Sequence, residues 1–202
     1  MNERHVSPTI PMEEIGDLVE SERIAHATIT GRPPGILMHA MKIEALSRDK
    51  KVRKLSQSRS AEDEAESVAY RMPSGELYVP SDAVYGSIVT AGKAMKIGRL
   101  AASPILATIR VFPQMIGLGT EDYEVDQRSV VIQGSRIIRA RPLIRKWSIS
   151  FYVVYDSNLL SRDNLEIALR DAGRRVGILD FRPQHRGQFG TFLVDEFEDV
   201  KS

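Results

Sequence analysis

Apolar and polar positions alternate along "ERIAHATITG" and stop at Gly31, ahead of "RPPG", which predicts a first β-strand. Further on, "GELYVPSDAVYGSIVTAGKAM" reads as a short strand, a Pro-Ser-Asp stop and a helix. Ser81 or Asp82 is placed to cap that helix, and Val84, Ile88, Ala91 and Met95 give it an apolar face at helical spacing. "PILATIRVFP" reads as a strand. The stretch "EVDQRSVVIQGSRIIRARPLIRKWSISFYVVYD" reads as two or three strands broken at "QGS" and "RP". Trp147, Ile149, Phe151, Val153 and Tyr155 alternate along the last of them, so one face meets the core. "SRDNLEIALRDAG" predicts a second helix, capped by Ser161, turned inward at Leu165, Ala168, Leu169 and Ala172, and ended by Gly173. "GTFLVDEF" is a final strand. This order predicts an α+β domain of ferredoxin-like type, an antiparallel sheet with two main helices on one face.

The pattern is weaker elsewhere. Residues 1–22 are polar, with prolines at Pro8 and Pro11, and read as an N-terminal arm to a single domain over 23–198. The run "SRDKKVRKLSQSRSAEDEAES" makes 47–68 a long insertion, either a mobile loop or a solvated helix. No internal repeat or heptad is present.

Composition narrows the class. The chain of 202 residues is 42% hydrophobic and has no cysteine, which excludes disulfides and thiolate metal sites. There is no signal-type apolar segment, and no run of the roughly 18 apolar residues that a membrane span needs. The expectation is a soluble, cytoplasmic protein without a membrane partner. No His-x-x-x-His or Asp-x-Asp pattern, G-x-S-x-G elbow or Walker motif occurs, so neither a metal, a cofactor nor a catalytic site is expected. His39 is a candidate acid–base group for RNA cleavage, but nothing near it completes a site.

Charge changes the picture more. The formal net charge is only +1, yet the signs are segregated. Between 127 and 147 stand Arg128, Arg136, Arg139, Arg141, Arg145 and Lys146 with no acid, and between 83 and 120 stand Lys93, Lys96, Arg99 and Arg110 with none. Such blocks point to a basic face for phosphates. Arg139 and Arg141, two apart on a strand, project from one face as a rail for a nucleic-acid backbone, with Arg136 beside them. The alternative is a charged strand edge that blocks unwanted pairing. Lys93, Lys96 and Arg99, at helical spacing, are either a second set of phosphate contacts or partners of a helix C-terminal dipole. "DFRPQHRGQFGTFLV" faintly echoes the RNP1 pattern of RNA-recognition motifs. There Gly187 and Gly190 either permit a turn or let the backbone approach phosphates, with Arg182 and Arg186 alongside and Phe189 or Phe192 in the core.

Three of these segments together resemble the RAMP superfamily, the backbone subunits of CRISPR RNA-guided effector complexes. "LYVPSDAVYGSIVTAGK" is similar to the family's strand-to-helix "IPGSSLKG" segment through Pro80, Ser81 and Gly86. "GILDFRPQHRGQFGTFLV" is similar to its glycine-rich stretch through Gly177, Gly187 and Gly190, although Gly187 and Gly190 are one residue further apart than in G-x-G. "NLEIALRDAGRRVGI" stands where the family's second helix lies. The resemblance covers 75–195 and part of the first strand. It implies a modified RNA-recognition-motif fold that grips guide-like RNA by its backbone without reading bases or catalysing a reaction. It also implies subunits that assemble head to tail into an open multimer with other effector subunits in antiviral defence. No residue matches the aspartate of the family's target-cleaving branch, Asp49 included. The chain also resembles compact proteins of phages. Two alternatives follow, a phage single-stranded-DNA-binding or recombination-accessory protein and a phage structural or interaction protein docking onto a host complex.

Overall fold

The computed structural model describes residues 10–38, 60–132 and 135–200. His39, Asp49 and most of the expected 47–68 insertion lie outside the described residues. A short helix α1 (Met12–Ile15) precedes strand β1 (Glu22–Gly31) and the two-residue β2 (Ile36–Leu37). Next come α2 (Ala61–Glu66), β3 (Tyr78–Pro80), helix α3 (Ser81–Ala91), β4 (Lys96–Ile97), β5 (Leu100–Ala101) and α4 (Ala102–Leu106). Strands β6 (Arg110–Phe112) and β7 (Met115–Gly117) lead to a long ribbon of β8 (Glu124–Ile132) and β9 (Ser135–Ile144). Strand β10 (Ser148–Asp156), helix α5 (Arg162–Asp171) and β11 (Phe192–Asp199) complete the chain.

The main sheet has the order β11-β1-β10-β6, and every pairing in it is antiparallel. Helix α3 lies in sequence between β1 and β6, and α5 between β10 and β11. The alternating residues Ala25, Ala27 and Ile29 of β1 and Ile149, Phe151 and Val153 of β10 share a core with Val84 and Ile88 of α3 and Leu165 and Leu169 of α5. Apolar burial of this kind, at about 25 cal/mol per Å², holds both helices to one face of the sheet. A second sheet, β2-β9-β8, stands beside it.

Several local expectations change on folding. Of the strand expected over 104–113, Arg110–Phe112 is strand but 104–106 belongs to helix α4, Ala102–Leu106. Ala102 and Leu106 are both buried four residues apart, and a proline in a first helical turn costs little. Helix α3 stops at Ala91, and Met95 is extended beyond it. Neither Ser81 nor Asp82 caps this helix. Pro80 holds that place, and the Ser81 amide donates to the Gln114 carbonyl at 2.9 Å. Strand β8 ends at Ile132 and β9 begins at Ser135, the expected break at 133–134 lying outside the described residues, but β9 runs unbroken through Arg141 and Pro142, whose carbonyl accepts from the Met38 amide at 3.0 Å. Ser161 caps α5 as expected, accepting from the Asn164 amide at 3.3 Å. Gly173 does not end the helical run. The chain continues through a π-helical turn, Ala172–Val176, to Gly177.

The expected arm is part of the fold from Ile10 onward. Ile15 is buried against Ile24, Tyr152 and Val154 on the face of the sheet opposite the helices, with Ile10, Leu18 and Phe112 around it. The Arg110 guanidinium ties this segment down, donating to the Ile15 carbonyl at 3.1 Å and to Glu22 at 2.9 Å. Among the described residues no helix is long and apolar enough to cross a membrane.

Candidate nucleic-acid interface

The basic stretch of the β8–β9 ribbon is not a free rail. Each described arginine in it meets an acid. Arg139 pairs with Glu64 of α2 at 3.1 Å, Arg128 with Asp126 at 2.7 Å and Arg145 with Glu124 at 2.8 Å. Arg141 pairs with Asp180 and is 3% exposed, so its guanidinium cannot reach a phosphate in this conformation. Arg139 and Arg141 do share a face of β9, but that face turns toward α2 and the 179–187 loop. Arg136 stands in β9 opposite Val131, and its side chain lies outside the described residues.

Lys93, Lys96 and Arg99 are exposed and make no ion pair with another described residue. They do not form the expected helical row. Lys93 sits in a 3-10 turn after α3, Lys96 on β4 and Arg99 in the turn to β5.

The structure brings together two segments far apart in sequence. A groove of about 480 Å³ runs between α3 and the 179–185 segment. Its floor is the stripe Ala83, Gly86, Ser87 and Thr90 of α3, at spacings of three and four residues that place them on one helix face. Arg182 and His185 stand opposite, and Asp82 at the start of α3 adds a carboxylate to the lining. Lys93 follows in the 3-10 turn beyond α3, exposed and outside the groove's lining. Nothing lies within 4 Å of the space beside Gly86, so the floor is open there. The Ser87 hydroxyl is buried with no hydrogen-bond partner among the described residues, beneath the reach of a ligand in this conformation. Burial pulls the Arg182 pKa below its ordinary value, with Asp180 opposing the shift. Its guanidinium donates to the Leu179 carbonyl and, at 3.1 Å, to Gln184, which fixes it in the wall. Tyr70 closes one side as a neutral phenol, its pKa raised by burial and by nearby Tyr78 and Asp180. The sequence pointed to Arg182 but not to Ser87, Thr90 or His185. The available signal was the stripe of small residues on α3, opposite Val84, Ile88 and Ala91.

The glycines of the 187–190 stretch serve the protein's own backbone. A Cβ on Gly187 would lie 1.6 Å from the Phe181 carbonyl oxygen, and one on Gly190, at φ +73°, would lie 1.9 Å from that of Ile178. Where an approaching phosphate was expected, the 178–181 backbone already stands. Gly187 donates to the Arg182 carbonyl at 3.0 Å and Gly190 to that of Gly35 at 2.8 Å. Phe189 and Phe192 are both buried, and Arg186 is exposed at φ +61°.

The face of the main sheet away from the helices offers a poorer phosphate site. Beyond the part covered by the N-terminal segment it carries a hydroxyl ladder, Thr28 to Ser150 at 3.0 Å and Thr30 to Ser148 at 3.3 Å, with Glu196 3.3 Å from Thr28. A cavity of about 480 Å³ borders this face, and its charged wall residue is Glu76. No cation stands among the described residues that line it, whereas the α3 groove sets Arg182 against Asp82. Compared with known proteins, the chain matches no family model and no curated protein.

Proposed function

We propose that the chain is a non-catalytic, largely sequence-independent binder of single-stranded RNA, built on a ferredoxin-like core and related to the RAMP superfamily. The order β11-β1-β10-β6, with a helix after the first and third core strands, is the order of the split βαβ plan and supports the fold reading. One observation carries the functional reading. The two segments that resemble family motifs, around Gly86 and around Arg182, line opposite sides of one groove. Arg182 on the wall, with Lys93 beyond the floor, supplies positive charge for phosphates against the single carboxylate of Asp82, and His185 adds ring nitrogens for hydrogen bonding. Exposed Lys96, Arg99 and Arg186 extend that charge outward. A cytoplasmic setting and assembly into an open multimer with other subunits along a guide-like RNA belong to the same proposal.

Gly86→Glu tests the groove without loading the fold. A side chain there meets open space, and replacing glycine inside a helix gains helix propensity. In anisotropy titrations of labelled single-stranded RNA, the parent protein binds with an affinity that falls linearly in log–log form as salt rises. Gly86→Glu unfolds at the parent's urea midpoint or above it and binds at least about tenfold more weakly, since its carboxylate occupies the floor. Unchanged binding by that variant overturns the groove. Absence of salt-sensitive binding by the parent overturns the function. Competition with DNA of the same sequence separates RNA from the single-stranded-DNA alternative, since only RNA offers the 2′-OH.

A further inference from the structure

Three residues other than glycine adopt left-handed backbone within one short segment, Leu179 at φ +59°, Phe181 at φ +48° and Arg186 at φ +61°. That conformation is rare for a bulky side chain and persists only where the surroundings over-determine it. The surroundings here do. The Asp180 carboxylate accepts at once from the Phe181 amide, at 2.8 Å, and from the buried Arg141 guanidinium. The Asp180 amide donates to the Leu37 carbonyl at 2.9 Å, and the Phe181 carbonyl accepts from the Phe189 amide at 3.1 Å. The missing side chain of Gly187 leaves room for that carbonyl.

All this holds an aromatic ring out of the core. Phe181 is 40% exposed, while its neighbour Phe189, 6.2 Å away between ring centroids, is buried. Arg128 lies over the Phe189 ring, its guanidinium 4.8 Å from the centroid. Arg182 adjoins Phe181 in the chain, its guanidinium held by Leu179 and Gln184, and exposed Arg186 stands in the same loop.

We infer that Phe181 is a stacking platform for one unpaired base of a single-stranded nucleic acid whose backbone follows the neighbouring groove. This rests on the nucleic-acid reading above and adds a base contact to it. A rigid exposed ring loses little side-chain freedom on binding, and every base offers it a π-face. Two arginines in the same loop, Arg182 and Arg186, favour a polyanion over an apolar protein surface as the occupant.

The test is anisotropy at fixed salt with a single-stranded RNA and an abasic strand of equal length, using the parent, Phe181→Ala, Phe181→Leu and Phe181→Trp. Phe181→Ala and Phe181→Leu are expected to bind the base-bearing strand on the order of tenfold more weakly, and the abasic strand as the parent does. Phe181→Trp keeps parental affinity, with indole fluorescence quenched on binding. If Phe181→Ala or Phe181→Leu binds as the parent does, stacking is overturned and backbone binding stands. Self-association of the parent that Phe181→Ala abolishes overturns it in favour of a protein contact. If the parent binds neither strand, the nucleic-acid reading itself falls.

Discussion

Arg141→Ala lowers the folding free energy by about 3 kcal/mol, read as a drop in the urea midpoint at unchanged slope. Removing one partner of a buried ion pair leaves the other charge uncompensated, at a cost of about 3–5 kcal/mol. Asp180 keeps 30% of its side chain exposed and recovers some hydration, which sets the expectation at the lower end. Arg141→Met keeps the apolar stem, so its difference from the alanine variant reads packing alone. Arg141→Met combined with Asp180→Asn recovers part of the loss, a coupling that shows the pair acts as a unit. The salt dependence of RNA binding by the folded Arg141 variants keeps its parental slope. A residue that touches phosphate lowers that slope by about one on removal. A reduced slope with unchanged stability would return Arg141 to the phosphate rail that the sequence suggested.

Gly187→Ala is expected to cost about 3 kcal/mol in the free protein, at the upper end of overpacking penalties. The Cβ would stand 1.6 Å from the Phe181 carbonyl oxygen and 2.1 Å from its carbon. Both are backbone atoms, so no side-chain rotation relieves the clash. Gly187 lies outside the left-handed region, so the penalty is steric and the turn that closes on Arg182 must open. A glycine kept for phosphate approach predicts the reverse, an alanine variant as stable as the parent that loses only binding. The free-energy difference without nucleic acid, from urea denaturation, separates the two.

Most of the fold was legible because it is periodic. The alternation in β1 and β10, and the helical spacing of Val84, Ile88 and Ala91 and of Leu165, Ala168 and Leu169, each depend on neighbours a few residues away. What could not be read depends on distance. The acids that neutralise the ribbon's arginines include Glu64 and Asp180, each on another segment, so a block of one charge sign in sequence became a paired network in space. The ends of α3 and α5 also escaped, because Ser81 is held by the Gln114 carbonyl and Gly173 is buried against Phe192 by packing that no local cue reveals. In the candidate site, Arg182 was visible through its glycine-rich setting. The groove itself required α3 and the 179–185 segment to meet. Phe181 left a faint trace, an aromatic between Asp180 and Arg182 outside any apolar alternation.

Ultraviolet crosslinking of bound single-stranded RNA, with the crosslinked peptides mapped by mass spectrometry, tests most directly whether the α3 groove and its loop form the binding surface. Crosslinks are expected within 81–93 of α3 and its following turn and within 179–187, Phe181 among them. Crosslinks confined to the β8–β9 ribbon, or to the hydroxyl-lined face around Thr28, Ser150 and Glu196, would contradict the account.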